Sequence, residues 1–513
     1  MNHAATDPRL QPPRWSAATP GRRHRMRLRF GVAVCLPLAL FYFGWLLDPA
    51  RIGNPFLYAL LITAELFNLM QAIGFWWTCA SERSRPPLGL ANEAPDVDVL
   101  IPTYDEPVDI VEPTVAAARR LRGAHVNVWL LDDGDRDDMR ALAARQGAGY
   151  LRRKRHNGAK AGNINHALRR TGAPVVVVLD CDHVPSERFL QATLGHLAAP
   201  DVAFVQTPQC YANAGTGELA AAAWSQQALF FGAIARGKDG QGAMFCCGTN
   251  VVFKRAALED VGGFPEGSVT EDFELSVHMH ERGWRSAYVP EVLAQGLGPE
   301  DMASYVGQQH RWARGCLGAI GSVLRARLPL RMRLQYLLSC SYFLTGWTVL
   351  AYMAFPVVRI LTGQQPLAAP AADQFLLHFA PYFGLALSMV ALMGSGAYTF
   401  RAFALQSASF WIHVHASLLA LLRRPGSFKV TPKRGADGRQ PRAMAPALAA
   451  AFVLLSVAVL GLVRHHDPST MNNVAFACVH LTVLSFGVAP ALRRARRPVA
   501  VAAAPAERAR AAA

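Results

Sequence analysis

Six long apolar stretches are the strongest constraint on what this chain can fold into. Phe30–Leu47 and Pro55–Cys79 lie near its start, and Gln335–Leu361, Phe375–Phe400, Met444–Val463 and Met471–Leu492 follow a polar middle. Each approaches or exceeds the roughly 20 residues that a helix needs to cross a hydrocarbon core. Backbone polar groups in lipid must be satisfied within the segment, so such stretches are read as helices. The sequence therefore predicts a multi-pass membrane protein with six spans. Composition agrees, since only 17% of the residues are charged, against about a quarter in soluble domains.

Positive charge sets the orientation. Arg22, Arg23, Arg25, Arg27 and Arg29 precede the first span, and Arg493, Arg494, Arg496 and Arg497 follow the last. Arg423, Arg424, Lys429, Lys433, Arg434, Arg439 and Arg442 fill the loop before the fifth, whereas the opposite loops hold little beyond Arg51 and Arg464. The positive-inside rule then puts both termini, the polar middle and that loop in the cytoplasm. The net charge of +16 is thereby a matter of topology, and nucleic acid is not an expected partner. The first span is expected to stay in place as an anchor, because it lacks the small-residue cleavage pattern of a signal peptide. Nine cysteines without a CxxC pair predict neither disulfides nor a zinc site. Residues 1–20 and 499–513, biased to Ala, Pro and Arg, read as disordered tails.

The polar middle carries the chemistry. Val175–Leu179 is a continuous β-branched run that ends on Asp180 and Asp182, followed by His183. Such a run reads as the buried central strand of a parallel sheet. Ligands of open α/β sheets bind beyond the carboxyl ends of the strands, so both carboxylates point where a substrate would lie. Two adjacent carboxylates suit Mg²⁺ or Mn²⁺, which leaves further positions for water and phosphate oxygens. The plainer reading, a solvated strand end, is weakened by two more strands. Val97–Pro102 runs into Thr103, Asp105 and Glu106, and Asn127–Leu131 runs into Asp132 and Asp133. Three acidic clusters on one sheet edge favour a nucleotide pocket. Helices expected over Val108–Leu121 and Gly158–Arg170 alternate with these strands, which predicts a parallel, Rossmann-like α/β domain. Lys160 opens the second of these helices among small residues, where a point charge suits a diphosphate.

The motifs, taken in order, resemble those of membrane-embedded family 2 processive glycosyltransferases of the bacterial cellulose synthase type. They are Pro102–Pro107 (PTYDEP), Asp132–Gly134 (DDG), Ala159–Asn163 (AKAGN), Asp180–His183 (DCDH), Gln206–Pro208 (QTP), Cys247–Thr249 (CGT), Thr270–Asp272 (TED) and Gln308–Trp312 (QQHRW). Phe428–Lys433 (FKVTPK) resembles the family's gating loop. The resemblance implies a GT-A type catalytic domain over residues 95–328, embedded between transmembrane helices. Residues 1–29 become a cytoplasmic tail, 30–79 and 335–400 two spans each, 403–442 an interfacial helix and gating loop, 444–492 two more spans, and 493–513 a second tail.

What the resemblance implies for the site is specific. Asp272 would be the general base, with Glu271 beside it in the same motif. Thr103, Tyr104, Glu106, Asp132, Asp133, Lys160, Asp180, His183, Gln308 and Arg311 would bind a UDP-sugar, with Thr431 and Lys433 closing over its diphosphate. Asp180 and Asp182 would hold Mg²⁺ or Mn²⁺. Trp312 would carry the acceptor sugar, with Cys247 and Phe245 along the same wall. Cys246 departs from the family, which usually has a second aromatic there, and Arg434 stands where a glycine is usual. The expected activity is processive, inverting synthesis of a β-glucan, cellulose-like, from UDP-glucose, with translocation across the bacterial cytoplasmic membrane and with periplasmic or accessory subunits as partners. A β-1,3-glucan or mannan synthase is the alternative, and an inactive transporter or scaffold a different class, disfavoured because no acidic motif residue is missing. Family members commonly carry a cyclic-di-GMP-binding PilZ domain after the last span. About twenty residues follow that span here, and no site of that kind is expected in them.

Overall fold

The structure is a computed structural model that describes residues 22–493 except 84, 86–87, 90–93, 369–371, 395, 423, 425–437 and 465–466. Its polar middle is built on one sheet of seven strands. These are β1 (Asp96–Thr103), β2 (His125–Asp132), β3 (Gly149–Arg152), β4 (Val175–Val178), β5 (Val202–Gln206), β6 (Val251–Lys254) and β7 (Arg285–Tyr288), in the order β3-β2-β1-β4-β6-β5-β7. Alternate residues of each strand face opposite sides. Val97, Val99, Ile101, Val128, Leu130 and Val177 enter one core with the helices Val108–Ala118 and Asp137–Arg145. Leu100, Leu131, Val176, Val178, Phe204 and Phe253 enter the other, against Ala159–Leu168 and Glu271–Glu281. Both faces are covered, which is why these strands read as unbroken apolar runs.

The sheet is not all parallel, contrary to expectation. β6 runs antiparallel between β4 and β5, pairing Val178 with Val251 and Phe204 with Phe253. Strand direction leaves no trace in an apolar run of four residues, so periodicity could not have found this. A buried ion pair fixes the reversed strand in place. The Asp98 carboxylate accepts from Arg255 Nη2 (2.9 Å), Trp129 Nε1 (3.0 Å) and the Ala173 amide (2.9 Å). Arg255 also donates to the carbonyls of Ala173 and Leu168. Strand β1, the end of β6 and the chain entering β4 thus share one fully bonded charge pair.

Among the described residues five helices are long and apolar enough to cross a membrane: Met26–Leu46, Pro55–Ala80, Leu330–Thr362, Pro441–Arg464 and Pro468–Leu492. The fourth expected span, Phe375–Phe400, is a helix over Ala372–Met393 that ends at a turn. Its 22 residues correspond to about 33 Å at 1.5 Å per residue. The single amphipathic helix expected over Phe403–Leu422 is two helices, Phe400–Ala408 and Phe410–Leu421. The break falls at Ser409, whose buried hydroxyl donates back to the Leu405 carbonyl at 2.8 Å, a side-chain bond that commonly bends helices. The helix expected over Glu300–Cys316 runs Met302–Gly318, with the Asp301 carboxylate accepting from the Ser304 amide.

The sheet domain is clamped to the bundle through the short helix Ala235–Gly240. Lys238 Nζ, fully enclosed, donates to the main-chain carbonyl (2.8 Å) and side-chain oxygen (3.3 Å) of Gln335 on the third span. Thr78 of the second span donates to the same Gln335 oxygen. Next to it, Asp239 forms a two-pronged ion pair with Arg85 (2.7 and 2.8 Å) and accepts from the Tyr288 amide of β7. No ion pair joins Lys238 to a carboxylate among the described residues. Burial pulls its pKa down to about 7.

Two outcomes follow for stability. Replacing Asp98 by Ala leaves Arg255 buried without its counter-ion and costs about 3–5 kcal/mol; thermal unfolding of the detergent-purified protein reads this, and Asp98→Asn is milder. For Lys238 the unfolded chain, with an ordinary value of 10.5, holds a proton between pH 7 and 10 that the folded chain has released. Stability therefore rises with pH through that window, by at most about 1.4 kcal/mol per unit. Lys238→Met flattens the rise, which unfolding midpoints at pH 7 and pH 9 will check.

Candidate active site

The register of the sheet brings the three acidic strand ends together. Thr103 pairs with Asp132 across β1 and β2, and Leu100 pairs with Val178 across β1 and β4. Beyond these ends lies a cavity of about 1410 Å³. Thr103, Tyr104, Glu106, Asp133, Lys160, Asp180, Asp182, His183, Phe245, Cys247, Glu271, Asp272, Gln308, Arg311 and Trp312 all line it. Asp132 does not. Its carboxylate is buried and accepts from the amides of Gly134 (2.8 Å) and Arg136 (2.7 Å) and from the Tyr150 hydroxyl (2.9 Å), so it shapes the turn after β2. Thr431 and Lys433 lie outside the described residues.

Several of the lining groups already have fixed partners. The Glu106 carboxylate accepts from Thr103 Oγ1 (2.9 Å) and the Tyr104 amide (2.8 Å), closing the loop that presents Tyr104 half-exposed at the rim. Asp133 takes both prongs of the Arg153 guanidinium at 2.7 and 2.6 Å. Arg153 in turn donates to the Ala159 carbonyl at the start of the Lys160 helix. The basic stretch Arg152–Arg155 thus holds one arginine that orients the pocket from behind.

At the end of β4 the carboxylates of Asp180 and Asp182 and the His183 ring place ligand atoms within 4.8 Å of one another. Asp182 accepts from the Leu297 amide (3.0 Å) and lies 3.4 Å from His183 Nδ1, while His183 Nε2 is buried without a hydrogen-bond partner among the described residues. Two carboxylates and an unpaired imidazole nitrogen fit a hard divalent cation that keeps water or phosphate ligands. Lys160 Nζ donates to Asp180 Oδ1 (2.5 Å) and to the Gly248 carbonyl (2.8 Å). Burial disfavours the Lys160 charge, but Asp180, Glu271 and Asp272 outweigh it, and its pKa is raised.

Glu271 and Asp272 begin the helix Glu271–Glu281. Asp272 Oδ1 accepts from the Phe273 amide (2.8 Å), and Ser276 Oγ accepts from the Cys246 amide (2.8 Å), joining the helix to the turn Cys246–Asn250. Gly248 in that turn has φ 80°, and a Cβ there would stand 2.8 Å from Asp272 Oδ2. The glycine keeps the carboxylate free to meet a ligand. Burial raises the pKa of both acids, to about 7 for Glu271, whose second cause is the Asp272 charge; Lys160 and Arg311 oppose the rise in each. A carboxylate held in this range is poised to accept a proton near neutral pH.

Gln206 of the QTP motif is structural. It is fully buried and joins the end of β5 to the Cys246–Asn250 turn, accepting from the Cys247 amide (2.8 Å) and donating to the Thr249 carbonyl (2.8 Å). From this turn the cavity continues into the helical bundle. There it meets Gln71, Phe75 and Thr78 of the second span, Tyr342, Phe343 and Thr345 of the third, and Phe400, Phe403 and Gln406 beyond the fourth. Of the aromatics on the third span, Tyr342 and Phe343 line the cavity. Trp347 donates to Ser417 Oγ, Tyr352 to Glu65 Oε1, and Phe355 is buried in the bundle core. Sequence reasoning missed Lys238, Gln226, Gln227 and Tyr398, which also line the cavity. An isolated lysine or glutamine outside a motif gave no signal.

Residues 175–395 match the family Glycosyl transferase family group 2. The chain is 31% identical over 491 residues to "Cellulose synthase 2" of Novacetimonas hansenii, covering 90% of this chain and 31% of that protein. It is also 31% identical over 450 residues to "Cellulose synthase 1 catalytic subunit [UDP-forming]" of Komagataeibacter xylinus, covering 82% and 59%. The chain thus spans well under two thirds of the length of these curated relatives. Among solved structures, the mannosyltransferase PcManGT from Pyrobaculum calidifontis, in complex with GDP-Man and Mn²⁺, superposes with a TM-score of 0.53 at 17% identity, covering 72% of this chain and 99% of that one. That likeness is one of fold, and it places the sheet domain among GT-A type folds. The chain thus carries a match to a family 2 glycosyltransferase domain and is similar along most of its length to cellulose synthases.

Proposed function

We propose that this chain is a processive, inverting polysaccharide synthase that builds a β-1,4-glucan from UDP-glucose and passes it into the membrane. The observation that carries the reading is the single cavity running from the Asp180–His183 and Glu271–Asp272 clusters into the helical bundle. An enzyme that releases a small soluble product has no use for such a continuation. The relatives named as cellulose synthases support the choice of polymer, and the UDP-forming one supports the choice of donor.

In this reading the donor diphosphate lies beside Lys160, and Asp133, Tyr104 and Arg311 border the nucleotide. A Mg²⁺ or Mn²⁺ ion held by Asp180 and Asp182, with His183 alongside, would offset negative charge on the diphosphate. The acceptor's terminal sugar rests on Trp312, with Phe245 and Cys247 along its side. Its free hydroxyl attacks the anomeric carbon from the face opposite the diphosphate. Asp272 accepts the hydroxyl proton as the new C–O bond forms, and UDP departs with the electrons of the broken bond. The configuration at that carbon is inverted. Lys160 stays charged throughout, because Asp180 and the two acids hold its proton. The role of Thr431 and Lys433 in closing over the diphosphate rests on their motif. The positive-inside pattern places the sheet domain in the cytoplasm, with the spans in the cytoplasmic membrane.

Membranes supplied with Mg²⁺ and labelled UDP-sugars one at a time, followed by digestion with linkage-specific glycanases, test the reaction. Label from UDP-glucose in a product cut by a β-1,4-glucanase supports the proposal; incorporation only from another donor, or a product cut only by a β-1,3-glucanase, revises it. Asp182→Asn should abolish synthesis in a protein that still folds, and retained activity there or in excess EDTA overturns the metal assignment. Asp272→Asn should slow turnover by about 10²–10⁴-fold, the usual worth of a general base, while UDP binding measured by calorimetry stays unchanged. Because burial raises Asp272, kcat/KM should begin to fall, as pH drops, at a higher pH than the roughly 4 at which an ordinary aspartate loses its charge.

A further inference from the structure

The elbow that leads into the third span carries an arrangement that catalysis does not use. The helix Ile320–Arg325 ends, the chain turns, and Leu330–Ser341 begins the span. Within these few residues stand Arg325, Arg327, Arg331 and Arg333, the first three exposed. No ion pair joins any of the four to a carboxylate among the described residues. Leu324 (55% exposed), Leu330 (68%) and Leu334 (42%) alternate with them on the same open surface. Guanidiniums without counter-ions among exposed leucines call for a partner that is both anionic and apolar. A soluble acidic protein or a nucleic acid offers the charge but leaves the leucines in water.

We infer that this elbow is a docking surface for anionic phospholipids, their phosphates paired with Arg325, Arg327 and Arg331 and their acyl chains against Leu324, Leu330 and Leu334. Arginine suits the task, since its planar fork binds phosphate through two parallel hydrogen bonds. The site lies at the foot of a helix long and apolar enough to span, where headgroups of a bilayer would stand. It depends on the membrane placement and not on which sugar the enzyme uses.

The elbow also touches the helix that carries the proposed base. Its Ser322 hydroxyl donates to Glu274 Oε1 (3.3 Å) and its Arg327 amide to Glu281 Oε1 (2.9 Å), both on the helix that starts with Glu271 and Asp272. Val323, Ala326 and Leu328 pack with Phe273 and Val277 of that helix. Lipid bound at the elbow therefore steadies the helix that aims Asp272, and the arginines act as positioning residues for it.

The test reconstitutes the full chain in nanodiscs of phosphatidylcholine alone or with one third phosphatidylglycerol. Native mass spectrometry counts retained phosphatidylglycerol, and polymer synthesis is followed in parallel. The wild type should retain phosphatidylglycerol preferentially, and each of Arg325→Gln, Arg327→Gln and Arg331→Gln should lower that preference by about fivefold, the worth of one basic residue near an anionic surface. A triple Arg→Lys variant should keep most of it. Synthesis by the wild type should be faster with the anionic lipid, and the triple Gln variant should lose that difference without a change in KM for the donor. Equal retention by wild type and triple Gln variant overturns the inference, as does displacement of the lipid by inorganic phosphate, which would mark a soluble-anion site. If no polymer forms in either lipid the proposed function fails, while lipid retention still decides the docking surface.

Discussion

Everything at the catalytic edge depends on how four carboxylates are kept together. Asp180, Asp182, Glu271 and Asp272 line one cavity, and at these separations unscreened like charges repel by several kcal/mol at an effective dielectric near 20. Lys160 is the group that answers both pairs. It bonds Asp180 directly and the Gly248 carbonyl beside Asp272, so the end of β4, the turn before β6 and the start of the Glu271–Glu281 helix meet at one ammonium. Arg311 adds a second positive charge felt by Glu271 and Asp272. Burial raises the pair at the head of the helix and the two cations limit that rise, while the Asp180–His183 end keeps ligand atoms close enough for a metal ion. A substitution at Lys160 would thus alter both ends together, and its effect could not be assigned to diphosphate binding alone.

Much of this was legible in the sequence, for a physical reason. Motif residues at strand ends are fixed by the sheet, and a sheet whose strands are buried on both faces announces itself as apolar runs ending in polar clusters. Thr103, Asp133 and Asp180 converge because β2, β1 and β4 are adjacent and parallel. Asp132 could not be separated from Asp133, since the difference lies in which carboxylate turns inward to cap its own loop. The direction of β6 was hidden too; the positive φ angles just before it, 80° at Gly248 and 54° at Asn250, cannot be read from a short motif. The break at Ser409 was invisible because one serine between two apolar stretches, with no glycine or proline beside it, carries no stop signal. Lys238 was missed for the opposite reason: a lone lysine among alanines and glycines reads as exposed, and only the packing of the second and third spans buries it.

That buried lysine belongs to a rigid joint. The backbone of the Ala235–Gly240 helix lies so close to the end of the second span that a Cβ on Gly240 would stand 1.8 Å from the Ser81 carbonyl oxygen. Lys238 reaches the third span from the same turn of helix, and Asp239 ties that turn to β7 and to Arg85. The Phe245–Cys247 wall follows directly in the chain, with the Lys238 ammonium 5.6 Å from the Phe245 ring centroid. The wall against which an acceptor would lie is therefore fixed relative to the spans that continue the cavity. In the proposed function, a polymer formed at this site would have no hinge to cross before the bundle begins.

The opposite side of the site is held differently. The Glu271–Glu281 helix has 11 residues, about 16 Å at 1.5 Å per residue, and other elements fix it at two points. Its second turn is joined to the Cys246–Asn250 turn through Ser276, and its last residue accepts from the Arg327 amide at the foot of the third span. Its middle is packed by Val323, Ala326 and Tyr336 from that same foot. A shift of the elbow by a fraction of its packing distance would be carried along the helix to Asp272, because a close-packed core transmits strain and does not absorb it. The Phe245–Cys247 wall thus takes its position from the second and third spans, and the proposed base takes its position from the elbow before the third. The two reacting sides of the site are set by two separate contacts with the bundle, so chemistry and membrane attachment cannot vary independently.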